Sequence, residues 1–147
     1  MRNLLFIFIL FITYKSNAQC ELNLKELTMS IFYTQTAFND YVLEKGFSLN
    51  TQSNISECID ELANKNFVYK TFLNDNKTIK MTYVTFSVLS YIKMKKEILE
   101  TNFKLINETN TETTKSVTYN LQNLDLIISN KSVNGRNYYE FLFIYNK

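Results

Sequence analysis

The period of apolar and polar positions changes several times along the chain. Leu24, Leu27, Ile31, Phe38 and Val42 recur at helical spacing, which predicts a first helix with one apolar face. Gly46 follows and suits a helix stop. Val88, Ile92 and Leu99, extended by Tyr91 and Ile98, predict a second helix. Ile55, Ile59 and Leu62 predict a short one between them. Elsewhere the period is two. Phe67, Tyr69, Thr71 and Leu73 form one such run, and Ile79, Met81 and Tyr83 another, after the polar turn Asn74-Asp75-Asn76-Lys77. Past a polar tip at Asn107 to Thr114, Val117, Tyr119 and Leu121 alternate, then Leu124, Leu126 and Ile128. Asn134-Gly135 is a strong hairpin signal. Tyr138 to Tyr145 reads as a long last strand.

The chain also resembles itself. Val42-Leu43-Glu44-Lys45-Gly46-Phe47-Ser48-Leu49 matches Ile98-Leu99-Glu100-Thr101-Asn102-Phe103-Lys104-Leu105, with Leu, Glu, Phe and Leu identical. Phe38 and Met94 align at the same offset, as do Asn74-Asp75-Asn76-Lys77 and Asn130-Lys131-Ser132-Val133. These matches predict two α-β-β-β units, about residues 22–86 and 87–147. The expected fold class is α+β, with helices packed on one face of an antiparallel sheet. This order resembles tandem-repeat inhibitor and PepSY-like secreted folds, including the beta-lactamase inhibitor protein architecture. The resemblance is one of layout, and it implies an inhibitor-like binding module. The helix, Gly-Phe and hairpin punctuation is also similar to that of small exported proteins of Bacteroidota type.

The first residues carry an address. Arg2 precedes the apolar run Leu4 to Ile12, and small or polar Ser16, Asn17 and Ala18 follow. That is the layout of a secretory signal peptide cleaved after Ala18. The run is shorter than the roughly 20 apolar residues a membrane span needs. A lipoprotein signal would also end at a cysteine such as Cys20, but Asn17 and Gln19 stand where it wants a Leu-like and a small residue. The expected organisation is a signal at 1–18 and a single domain at 19–147, secreted or periplasmic.

Removing the signal changes the charge. Arg2 and Lys15 leave and no acid does, so the 16 basic residues of the whole chain fall to 14, equal to its 14 acids. A net charge of zero is not the footprint of a nucleic-acid binder. The lysine cluster Lys93, Lys95 and Lys96 reads as a solvated helix face. With no histidine in the chain, Ser-His-Asp and Cys-His nucleophile schemes and the usual Cys/His zinc sites are closed. The only two glycines are Gly46 and Gly135, which rules out Gly-rich phosphate loops. No cofactor is expected. In an oxidising compartment Cys20 and Cys58 should form a disulfide.

Two features carry functional readings. Glu57, Asp60 and Glu61 cluster, and on a helix Glu57 and Glu61 would share a face, as a carboxylate-only hydrolase needs. In the last strand, Tyr139, Phe141, Phe143 and Tyr145 point one way and Tyr138, Leu142 and Ile144 the other. Both sides are apolar, so one of them is a core face and one a contact surface, or both are covered. The aromatic row Tyr139, Phe141, Phe143 and Tyr145 is the candidate binding face. The expected function is a non-enzymatic module binding a protein or peptide. The alternatives are a carboxylate-dependent hydrolase and a structural envelope protein.

Overall fold

A computed structural model describes residues 20–73, 78–111 and 114–146. The expected signal peptide and the turn at residues 74–77 lie outside the described residues. The order of elements is α1 (Leu24–Ser30), α2 (Gln35–Glu44), β1 (Ser48–Asn50), β2 (Ile55–Ile59), β3 (Lys65–Phe72), β4 (Thr78–Thr85), α3 (Val88–Leu99), β5 (Lys104–Asn110), β6 (Thr114–Leu121), β7 (Leu124–Val133) and β8 (Arg136–Asn146). The eight strands form one sheet in the order β1-β2-β3-β4-β8-β7-β6-β5, and every pairing is antiparallel. The molecule is mixed α and β, dominated by its sheet.

The first apolar stripe folds as two helices instead of one. Asn23 caps α1 in a capping box with Glu26, and Thr34 caps α2 by accepting from the Ala37 amide. Each supplies an oxygen to a helix-start amide that would otherwise lack a partner. Carbonyls freed at the break are met by a buried lysine: Lys70 Nζ donates to the Ser30 and Tyr33 carbonyls. A period reading sees the stripe but not the caps, because Leu24, Leu27, Ile31, Phe38 and Val42 are all buried on either side of the break. Gly46, at φ +87°, ends α2. Phe47 N–H donates to Val42 O and Gly46 N–H to Leu43 O, the paired bonds of a left-handed helix stop.

The short helix expected through Ile55, Ile59 and Leu62 is absent. Residues Ile55–Ile59 are a strand between β1 and β3. Leu62 sits in the following turn, where Asp60 Oδ1 accepts from the Leu62 and Asn64 amides. That side-chain turn offers the backbone an alternative to a helix. The polar tip expected at residues 107–114 is mostly strand as well: Lys104–Asn110 is β5, paired with β6. Each half therefore has four strands where three were expected.

The second helix is where expected, and Ile98 and Tyr91 of its expected face pack on the core, but the rest of that face does not. Val88, Ile92 and Leu99 are 52%, 55% and 78% exposed, while Ser90, Met94 and Ile98 are buried. Ser90 reads as polar in a pattern, yet its needs are met: its amide donates to Ser87 Oγ and its hydroxyl to Glu21. A satisfied serine is inexpensive to bury and brings the helix close to the sheet.

Asn134 and Gly135 both have positive φ, and Val133 pairs with Arg136. This is the two-residue hairpin turn its sequence announces. The core joins Leu27, Ile31, Phe38 and Val42 to Met94 and Ile98, and to Met81, Tyr83, Leu126, Phe141 and Phe143 of the central strands. Cys20 and Cys58 are joined as a disulfide, with Cα atoms 5.6 Å apart across a separation of 38 residues.

Candidate binding face

Antiparallel register sorts the strand residues onto two faces. On the first, Tyr83 pairs with Phe141 and Met81 with Phe143, and across the other flank Ile128 pairs with Phe141 and Leu126 with Phe143. Residues of the helices and of the turn after α1 touch this face at several points. The Tyr91 ring stacks on Tyr139 at 4.0 Å, Phe32 meets Tyr145 edge-on at 4.9 Å, and Ser30 Oγ donates to the Met81 sulfur.

The row expected to form the binding face is therefore core. Tyr139, Phe141 and Phe143 are 6%, 0% and 0% exposed, and Tyr145 is half-buried against Phe32. Tyr91 of α3 meets two of them, Tyr139 and Phe141. Buried side chains cannot meet a partner without unfolding, so no docking surface lies at Tyr139, Phe141 or Phe143.

On the second face, Leu142 pairs with Thr82 and Ile127, and Glu140 with Val84 and Ser129. Thr82 pairs in turn with Tyr69, and Val84 with Phe67. Ile127, Leu142 and Ile144 are half-buried, as are Phe67, Tyr69, Val84, Phe86 and Tyr138. The Phe86 and Tyr138 rings stack at 5.6 Å, and Phe67 meets Phe86 at 6.5 Å nearly edge-on. These spacings and angles lie within the preferred range for aromatic pairs. The apolar area stops toward β6, where the residues paired with this face are Ser116, Thr118 and Asn120.

One ion pair crosses the second face, with Lys131 Nζ 2.8 Å from Glu140 Oε1. The hydrogen bond to Glu140 holds the Lys131 ammonium above the usual lysine range. Sequence reading had the signal for this face: Tyr138, Leu142 and Ile144 point away from the aromatic row. It could not say which face the helices take, because both are apolar.

The acids do not assemble as a helix would place them. Glu57 projects from β2 and is exposed, Asp60 is committed to its turn, and Glu61 lies in that turn, exposed. Among the described residues there is no group of three or more His, Cys, Asp or Glu that could hold a metal. The lysine cluster has local partners: Lys93 pairs with Glu21 at 3.0 Å, Lys96 with Glu100 at 3.8 Å, and Lys95 lies over the Tyr91 ring. No described helix is long and apolar enough to cross a membrane.

No family model matches the chain, and no curated protein or solved structure matches it.

Proposed function

We propose that this chain is an exported, non-enzymatic protein-binding module that docks its partner on the second sheet face. The observation that carries the reading is the composition of that face. A sheet face left to water is normally polar. Here Phe67, Tyr69, Phe86, Tyr138, Ile127 and Leu142 place half-buried aromatic and aliphatic side chains there instead. Aromatic groups with polar surroundings are what protein interfaces concentrate at their centres.

In this reading all three helices cover the Phe141 face and leave the Leu142 face free. The helix contacts with Tyr139, Phe141 and Met81 support it. The reading also takes the two halves as a duplicated unit, each a helical segment followed by four strands. The sheet order is the same outward from its centre, β4-β3-β2-β1 on one side and β8-β7-β6-β5 on the other. The matching segments Val42–Leu49 and Ile98–Leu105 span equivalent places, from the end of a helix into the first strand of a half. Duplication makes one broad sheet out of two small ones, which suits a flat protein partner.

Export completes the reading. The leader at 1–18 directs secretion or periplasmic delivery, and the Cys20–Cys58 disulfide is compatible with an oxidising compartment. The test is capture of a partner from the exporting cell's envelope and medium on immobilised mature protein. A partner retained by the wild type and lost on Leu142→Asp supports the reading. A partner retained equally by both contradicts it.

A further inference from the structure

Where α1 meets the second half of the chain, a cleft of about 500 Å³ opens. It is larger than the clefts beside α3, beside the disulfide and against β2, at about 210, 170 and 330 Å³. Those three mix charged and polar side chains with apolar ones. This one is walled by carbon: Leu24 and Met29 of α1, Phe103 after α3, and Leu121 at the end of β6. Met29 is 51% exposed at its rim.

Asn23, Lys25, Thr28, Glu97, Glu100 and Thr101 also border it, but they add little polar surface, and one carboxylate among them is fixed. Glu97 lines the cleft from α3, and its Oε2 accepts from the Leu24 amide at 2.7 Å. That bond holds the carboxylate in place, half-buried at the wall. Glu100 and Lys25 also border the cleft. Glu100 is exposed and shared with exposed Lys96 at 3.8 Å, so water screens both. Lys25 is exposed too. Glu97 is thus the positioned charge within an apolar hollow.

We propose that this cleft binds a small amphiphilic amine, its chain against Leu24, Met29, Phe103 and Leu121 and its ammonium at Glu97. The volume accommodates roughly 15 non-hydrogen atoms at about 30 Å³ each, within the size range of small-molecule sites. Charge sets the class. An ammonium gains a fixed carboxylate as partner, an alcohol gains only a hydrogen bond, and a carboxylate meets repulsion beside a low-dielectric wall. The site is separate from the Leu142 face and stands whether or not that face binds a protein.

Isothermal titration of dodecylamine and dodecanoate below their critical micelle concentrations, and of dodecanol below its solubility limit, into the mature disulfide-bonded protein tests this. Dodecylamine should saturate one site and bind about tenfold or more tighter than dodecanol, with dodecanoate weakest. Glu97→Gln keeps an acceptor for the Leu24 amide and should reduce the amine to the affinity of the alcohol. Met29→Asp, on the exposed rim, should weaken dodecanol and dodecanoate by interrupting the apolar wall. If Met29→Asp melts early, Glu97→Gln carries the test alone. An absence of saturable amine binding overturns the proposal. So does equal affinity for dodecanoate, or an amine preference that survives Glu97→Gln.

Discussion

The ring of Tyr91 lies flat on the ring of Tyr139, centroids 4.0 Å apart and planes 13° from parallel. Through this contact α3 seats on β8, and Tyr91 also reaches Phe141 at 6.2 Å. Truncating Phe141 would leave a cavity among Tyr83, Tyr91 and Phe143. Phe141→Ser should therefore destabilise by roughly 3–5 kcal/mol, read as a large fall in melting temperature. A change that leaves melting within a few degrees would mean the row is not core.

The disulfide closes a long loop and ties the start of the described chain to β2. In the chain-entropy view such a crosslink contributes roughly 3–4 kcal/mol. Cys58→Ser should lower denaturant stability by about that amount. Non-reducing peptide mapping of secreted protein should show the Cys20 and Cys58 peptides linked, with no thiol labelled before reduction. Two free thiols in that material would remove the claim.

Export makes an equally definite statement about the N-terminus. Intact mass and N-terminal sequencing of secreted or periplasmic protein should begin at Gln19. A chain that retains Leu4 to Ile12 would contradict a cleaved leader.

Alkaline pH should weaken the fold through Tyr83. Burial pushes its phenol well above the ordinary tyrosine value near 10, and its hydroxyl lies 3.4 Å from Asn66 Oδ1. Folded protein keeps the proton that unfolded chain gives up. The contribution is complete below the unfolded value of about 10 and is lost as pH rises above it. Denaturant midpoints should be level up to about pH 9 and fall beyond about pH 10. The fall should shrink in Tyr83→Phe, and an identical slope in that variant would exclude Tyr83 as the source.

Much of the chain was legible where one residue has one job. Gly46 and Asn134-Gly135 need positive φ, and the structure uses them as a helix stop and a hairpin turn. The Cys20–Cys58 pair followed from count and compartment. The apolar stripe from Leu24 to Val42 named the right buried residues but hid the break, because caps such as Asn23 and Thr34 leave only a faint mark in a period. Ile55 and Ile59 misled because a spacing of four residues fits either period. Ser90 misled because a serine whose bonds are met can be buried in place of Ile92. The candidate face failed for a different reason. β8 is apolar on both sides, and only the position of Tyr91 and Phe32 on the other elements decides between them.

The central claim is that the Leu142 face, and not the Phe141 face, meets a partner. The most direct measurement is titration of a partner captured on the wild-type protein against wild type and Leu142→Asp, with both melting curves recorded. The account predicts a loss of affinity of about tenfold or more with melting temperatures within a few degrees of each other. Unchanged affinity for Leu142→Asp, or no captured partner that this substitution displaces, would contradict it.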